Sequence, residues 1–452
     1  MLLLEKVFKV INESGLDYCI QNKYEMMPEE IPSDIDMMYA NADERFLDSM
    51  IGKICRETGG KLVQKYVQGF YQYTYILFFK DDNGEYFHIP LDFYRAISWK
   101  GYSNVMMAEE MLNTKRFYKC FYVPDTYVEL KYMWIRRTIK EDLNVEHIDI
   151  AKKLYETCPI EFRRRLEIDF GKEVAEYELR CMELCSVEFF EQNKEAFKDA
   201  VKRIAKKNAT IHNNLSKVAF AVKKIVPRRI MYHCGISIAF LSPDGGGKTT
   251  LIKGLNDFFT KMNIFDGVKN YYMRPKLFKN LGHYNRINPS EEENENPNPH
   301  GKKVNGKLKS LIRFMFYNID YFIGTLIKVW PNKLAKKLVI YDRYYYDYYV
   351  DLKRYQYSFS DKIPRLFQWM IPQPEIVFVL DAPGEVLYNR KQELTLKELK
   401  RQRKLFLEIP DYVSHARIID VNRPIEKILD ELIDTIVELQ ERRTLRIYRG
   451  VK

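Results

Sequence analysis

The sequence predicts an α/β multidomain protein in three parts. An N-terminal α+β domain spans residues 1–110, a helical region 111–227, and a C-terminal domain 228–452 that carries a parallel sheet of about five strands with helices on both faces. Three observations lead there. A buried strand signal over 235–241 runs into the glycine-rich stretch SPDGGGKTT (242–250) and then into a leucine-bearing helix signal. Further strand signals at 268–273, 337–341, 375–380 and 417–421 alternate with helical segments, the pattern of a parallel sheet covered on both sides. Near the other end, a hairpin signal and helical stretches crowd into the first hundred residues, and long amphipathic segments follow.

Composition bounds the rest. With 452 residues, 46% of them hydrophobic, the chain can build two or three substantial cores. The 7 cysteines are odd in number and form no CxxC pair, which favours reduced thiols and a cytoplasmic setting over a disulfide framework. The 7 histidines are scattered and offer no zinc spacing. The opening run MLLLEKVFKVI carries Glu5, Lys6 and Lys9, which argues against a signal peptide or a membrane span. The most apolar later stretch, 311–330, carries Arg313, Asp320 and Lys328, so a buried or amphipathic helix is expected there. A net charge of +11 suits a protein that grips phosphates, and equally one that meets nucleic acid or anionic lipid. A homo-oligomer is compatible with the sequence, which does not set the oligomeric state.

In the N-terminal part, helical periodicity over 3–11 stops near Ser14-Gly15, and 16–21 reads as a short strand. Asp34 and Asp36 then stand two apart in a strand signal, so they share a face. A helix over 41–55 stops at Gly59-Gly60, and 73–80 and 85–92 flank Asp-Asp-Asn-Gly as a hairpin whose second arm ends at Asp92. Three carboxylates on adjacent strands suit one or two Mg2+ ions, a triphosphate and the activation of an attacking oxygen. This arrangement resembles the nucleotidyltransferase superfamily, in which an Asp-x-Asp pair and a third Asp on a later strand bind metal. Asp34, Asp36 and Asp92 match in type and order over about the first hundred residues. The family's upstream Gly-Ser is absent. Either Asn22 and Lys23, in QNKYEMMPEE, replace it, or nucleotide binding is lost.

The middle region reads mostly as helices from 105 to 230, with amphipathic segments at 129–137, 148–156 and 174–185. Lys198, Lys202, Arg203, Lys206, Lys207, Lys217, Lys223, Lys224, Arg228 and Arg229 alternate with apolar residues. They make either a nucleic-acid or membrane footprint or a solvated helix face, and the solvated face is the favoured reading. The next domain begins near Pro227.

The phosphate chemistry lies beyond it. A glycine-rich turn between strand and helix aims backbone N–H groups and the positive end of the helix dipole at one spot. Gly245, Gly246 and Gly247 form the turn; Lys248 would neutralise terminal phosphates, and Thr249, followed by Thr250, would hold Mg2+. The usual first glycine of this pattern is Ser242 here. Asp342, Arg343 and Tyr344 close the third strand: the aspartate can reach Mg2+ through water and the arginine an acceptor's phosphate.

Taken with PEIVFVLDAPGEVLYNR, which ends on Arg390, these stretches resemble the thymidylate kinase branch of the P-loop kinases over roughly 233–443. The resemblance implies a five-stranded parallel sheet, ATP on the loop Asp244 to Thr250, and an acceptor across the carboxyl edge. It implies that Asp244 also meets a sugar hydroxyl of the acceptor and that Arg343 meets its phosphate, with Tyr344 beside them. The loop supplies no arginine, so charge must come from a lid. Arg390, Arg401 and Arg403, with Lys391 and Lys400 behind them, stand at the family's lid position; the alternative is a solvated helix face.

Two departures concern the acceptor. Met273-Arg274-Pro275-Lys276 replaces Arg-Glu-Pro-Gly, leaving Arg274 for an acceptor phosphate. After Tyr344 the chain runs YYDYYVDLKRYQYS, and this variant looks similar to thymidylate-kinase-like proteins of bacterial glycan and cell-surface pathways. Asp347, Asp351, Arg354 and Tyr355 then read a different acceptor, or the tyrosines simply pack on the sheet. The expected function is ATP- and Mg2+-dependent phosphoryl transfer to a small nucleotide-like or sugar-phosphate-like acceptor, coupled to the N-terminal domain. The alternatives are a protein with both sites active and a nucleic-acid-modifying protein.

Overall fold

The computed structural model describes residues 2–69, 71–100, 102–208, 222, 235–262, 264–278, 300 and 303–447. The chain divides into two units, Met1–Arg228 with Glu441–Lys452, and Arg229–Gln440. Lys217, Lys223, Lys224, Arg228, Arg229, the boundary near Pro227 and most of the polar segment 288–309 lie outside the described residues.

In the first unit, α1 (Leu3–Ser14) precedes β1 (Asp17–Ile20), β2 (Ile35–Ala40), α2 (Glu44–Thr58), β3 (Lys61–Gly69), β4 (Gln72–Lys80) and β5 (Tyr86–Tyr94). The sheet order is β1-β2-β5-β4-β3, antiparallel throughout except for the parallel β2–β5 pair. Both helices stop where glycine can turn left-handed, at Gly15 (φ 76°) and Gly59 (φ 73°). Strand alternation sorts the two faces of β2. Met37 and Tyr39 enter the core that holds α1 and α2, whereas Met38 and Ala40 enter the core of the helices that follow. Asp36 has the parity of Met38, so it belongs to the helix-facing side.

Strand β3 has no counterpart in the sequence reading, and the reason is visible at Lys65. This fully buried lysine donates to Glu44 at 2.7 Å and Asp48 at 2.5 Å from α2, so a charged residue occupies a core position and spoils the apolar alternation. Two small hairpins, β6 (Ala96–Trp99) with β7 (Tyr102–Met107) and β8 (Arg116–Tyr118) with β9 (Phe121–Val123), bracket α3 (Ala108–Leu112). The start of the expected helical stretch at 105 is therefore still sheet.

Helices α4 (Thr126–Lys140), α5 (Val145–Tyr155), α6 (Pro159–Phe170), α7 (Lys172–Leu184) and α8 (Val187–Asn208) complete the unit. Asp125 caps α4 by accepting from the Val128 N–H, and Trp134 of α4 stacks on Phe197 of α8 at 5.7 Å between ring centroids. One buried group in this bundle opposes folding. Glu178 of α7 is fully buried, neither carboxylate oxygen has a hydrogen-bond partner, and burial, with Asp169 adding to it, pushes its carboxyl well above 4.5. A folded-state value above the unfolded one means the folded protein holds the extra proton, so this group lowers stability as pH rises above about 4.5. Glu178→Gln is expected to stabilise the protein by about 1–3 kcal/mol at pH 8 and by less at pH 5. Urea unfolding at the two pH values checks this, and an equal effect at both refutes it.

The second unit contains β10 (Ser237–Leu241), α9 (Lys248–Met262), β11 (Val268–Tyr272), α10 (Lys307–Gly324), a π-helical turn Thr325–Val329, α11 (Trp330–Leu334) and β12 (Leu338–Asp342). A 3-10 helix Tyr345–Tyr349 follows, then α12 (Lys362–Phe367), β13 (Ile376–Asp381), α13 (Gly384–Arg390), α14 (Leu396–Leu407), β14 (Ala416–Asp420) and α15 (Ile425–Ile447), whose residues from Glu441 on are assigned to the first unit. The sheet has five strands, all parallel, in the order β11-β12-β10-β13-β14. The fold class is therefore the one read from the sequence: an α+β part, a helical part and a parallel sheet flanked by helices. Two details differ. Helix α10 begins at Lys307, earlier than the polar run suggests, and the tyrosine-rich run forms a 3-10 turn with Tyr345, Tyr346, Tyr348 and Tyr349 buried. Among the described residues no helix is long and apolar enough to cross a membrane.

Candidate functional site

In an open parallel sheet, a crevice forms at the carboxyl edge where neighbouring strands connect in opposite directions. Here that place lies beyond Leu241, because β10 is central, between β12 and β13. The loop 242–247 and the N-terminus of α9 occupy it. Gly245 (φ 84°) and Gly247 (φ 76°) take left-handed backbone that other residues adopt at a cost. Gly245 is also sterically required, since a Cβ there would run into the Leu387 carbonyl of α13.

The Lys248 side chain is buried and curls back over the loop. Its ammonium donates to Ser242 Oγ at 2.7 Å and to the Ser242 and Pro243 carbonyls at 3.3 Å each. Burial and the neighbouring Arg343 lower it from 10.5 to about 8, against the pull of Asp342, Asp244 and Asp347. Thr249 and Thr250 are exposed at the start of α9.

Asp342 ends β12 opposite Phe240 and Tyr272, and its Oδ1 is buried without a hydrogen-bond partner. Arg343 follows in the left-handed region (φ 66°), a conformation that costs about 1–2 kcal/mol and turns the side chain back across the loop. Its guanidinium donates to Asp244 at 2.7 Å and to Asp347 at 2.6 Å. Asp244 also pairs with Arg354. Although burial opposes it, the two arginines hold the Asp244 carboxyl below its usual range. Asp347 keeps one oxygen unpartnered and accepts from the Tyr355 hydroxyl at 2.9 Å with the other. Hard oxygen donors with an unpartnered buried carboxylate beside a phosphate loop fit Mg2+.

The other sequence-derived residues are placed as follows. Tyr344 is buried, and its hydroxyl donates to the Pro372 carbonyl. Arg274 pairs with Asp320, donates to the Phe278 carbonyl at 3.1 Å and lies 4.4 Å from the Tyr317 ring centroid. Arg390 donates to the Val421 carbonyl at 3.1 Å. Arg403 forms a two-point pair with Asp381 at 2.7 and 2.9 Å. Arg401 meets Glu398 at 2.6 Å and the Val350 carbonyl at 3.0 Å. Asp244, Lys248, Asp342 and Arg343 thus form one cluster, while Arg274, Arg390 and Arg403 bond elsewhere. Gln402 of α14 carries no motif that sequence could flag, yet it donates to Asp351 at 3.0 Å. Among the described residues, His300, Asp351 and Glu398 are the one group of three whose ligand atoms lie within 4.8 Å, but Asp351 and Glu398 are already paired with Arg354 and Arg401.

In the first unit, β2 and β5 set Asp36 directly opposite Asp92, and Thr74 on β4, itself opposite Asp92, donates to it. Burial, with Asp36 and Asp34 adding to it, raises Asp92 to about 6, against the Thr74 hydrogen bond. Asp34 stands just before β2, with one oxygen held by Ser33 at 2.6 Å and Lys23 at 3.2 Å. Tyr132, Arg136 and Lys140 of α4 recur every four residues and so share a helix face. Arg136 and Lys140 act electrostatically on Asp36, Asp36 in turn acts on Tyr132, and the Tyr132 hydroxyl is buried without a partner. That cationic face was invisible in the sequence, because nothing local ties α4 to Asp36.

No protein-family profile matches the chain, and no curated protein sequence matches it. Among solved structures, it is similar to the thymidylate kinase of Ehrlichia chaffeensis, with 18% identity, 45% of this chain and 98% of that chain covered, and a TM-score of 0.31. That likeness is too faint to speak to activity. The class of the second unit rests on its own strand order and loop, which fit a P-loop kinase domain.

Proposed function

We propose that the second unit transfers the γ-phosphoryl group of ATP to a small phosphorylated acceptor, nucleotide-like or sugar-phosphate-like. The observation that supports this most is the Lys248 ammonium. It is buried in a glycine loop at the carboxyl edge of a parallel sheet, and the loop's own oxygens hold it where terminal phosphates would lie. In this reading Asp244 to Thr250 cradle the donor, and Thr249 and Asp342 hold Mg2+, which would offset the phosphate charge. Arg343 orients the acceptor, and Arg401, half exposed on α14, is the lid arginine best placed to move. Scattered free cysteines fit a cytoplasmic setting. The test is ATP consumption against nucleoside monophosphates, dTMP included, with sugars and sugar phosphates. Stimulation by at least one phosphorylated acceptor is expected, and a flat response across the panel sinks the reading.

A second activity in the first unit is favoured by the register of Asp36 against Asp92 on the side that α4 serves with Arg136 and Lys140. In that reading the carboxylates bind metal, α4 replaces the missing Gly-Ser as the source of charge for a triphosphate, and the chain carries both activities. Asp34→Ala with Asp36→Ala should then remove one nucleotide-dependent product while ATP consumption by the second unit persists. If every product is unchanged, the first unit is a binding or assembly module.

A further inference from the structure

We propose that Arg354 is a second ligand for the acceptor's phosphate, and that in the ligand-free protein the Asp244 carboxylate stands in for that phosphate. The inference rests on the phosphoryl-transfer reading and adds to it a second residue that binds the phosphate of its acceptor.

The geometry is an alternating chain of charge: Asp347, Arg343, Asp244, Arg354, Asp351. The outer links are local. Arg343 meets Asp347 four residues on at 2.6 Å. Arg354 meets Asp351 three residues back at 3.3 Å, and its backbone N–H donates to the same carboxylate at 3.1 Å. The inner links come from far away in sequence, since Asp244 sits 99 positions before Arg343 and 110 before Arg354.

This difference decides which links are exchangeable. The outer carboxylates belong to the same short segment as the arginines and orient them whether or not Asp244 is present. Asp244 offers one oxygen to each guanidinium, Oδ1 to Arg343 and Oδ2 to Arg354. A phosphate held between two arginines does the same with two of its oxygens. Both guanidinium groups are largely buried, with side-chain exposures of 6% and 13%, so an anion between them is favoured even beside the outer carboxylates. A dianionic phosphate carries more charge than one carboxylate and displaces it without moving the arginines. A neutral acceptor cannot. Asp351 also accepts from Gln402 of α14, so the same carboxylate that aims Arg354 is tied to the lid helix.

The test is calorimetric titration of inorganic phosphate into the full chain saturated with Mg2+ and AMP-PNP, a non-hydrolysable ATP analogue that fills the donor loop. Wild type should show one saturable phosphate site. Arg354→Gln should weaken it about tenfold or more with AMP-PNP affinity unchanged, and Arg354→Lys should fall between. Asp244→Asn should tighten it severalfold, because the internal competitor is gone; a purely structural role for these ion pairs predicts no such gain. The proposal is overturned if wild type has no saturable phosphate site, if Arg354→Gln binds phosphate like wild type, or if Asp244→Asn fails to tighten binding. Should Arg354→Gln not fold, the Asp244→Asn result alone decides. If AMP-PNP itself does not bind, the donor reading falls, and the same titration without nucleotide judges Arg354 separately.

Discussion

Lys248→Ala is expected to lower ATP turnover by about 10²–10³-fold while the protein stays folded. The ammonium is the one cation that the loop itself provides, and in the ligand-free state its hydrogen bonds are spent on Ser242 and Pro243. Its lowered value, about 8, makes the expectation sharper. A lysine whose folded value lies below its unfolded 10.5 costs stability at neutral pH, and the ligand-free protein gains stability as pH rises from about 8 towards 10.5. Alanine removes that cost, so the variant should melt no lower than wild type and should lack the gain at high pH. Phosphates restore the ammonium, so wild-type ATP binding should take up protons near pH 8 and weaken by up to about tenfold per pH unit above it. Calorimetry in two buffers of different ionisation enthalpy measures that uptake. A folded variant with wild-type turnover would end the phosphate-loop reading.

Arg343→Ala should be the most damaging single change to stability at the site, at about 3–5 kcal/mol. The guanidinium joins Asp244 and Asp347, both buried, and its loss takes from Asp347 its cation, leaving the Tyr355 hydroxyl, and from Asp244 one of its two arginines. Acceptor-stimulated turnover should vanish with it. Arg343→Lys should recover little, since one ammonium cannot reproduce a fork that serves two carboxylates. Combining Arg343→Ala with Asp347→Asn should recover part of the stability and none of the turnover. Denaturant unfolding and the acceptor assay on the same preparations separate the two effects. Unchanged acceptor-stimulated turnover in a folded Arg343→Ala protein would remove Arg343 from the acceptor's phosphate.

The legible parts of this chain are those whose chemistry is local. The glycine loop, Asp342-Arg343 and the hairpin around Asp81 to Gly84 each announce themselves within a few residues, because a turn, a strand end or a phosphate cradle needs its residues side by side. The pairing of Asp36 with Asp92 was reachable from strand order alone. What sequence could not reveal depends on distant partners. Lys65 looks like a surface residue until Asp48 and Glu44 are placed beneath it. Arg354 was visible as one charge among several, but its bond to Asp244 spans 110 positions. Gln402 and the Arg136 face of α4 carry no motif at all. Tyr345, Tyr346, Tyr348 and Tyr349 of the tyrosine run pack into the core, because five consecutive residues close into a 3-10 turn against α10 and α12.

The contact between Gly245 and α13 limits how this protein could be altered, by selection or by design. A P-loop kinase could in principle carry its transition-state arginine on the loop itself. Here any side chain at position 245 meets the Leu387 carbonyl, and the left-handed backbone adds a further cost. An arginine at that position needs a compensating shift of α13, so the two segments can change only together.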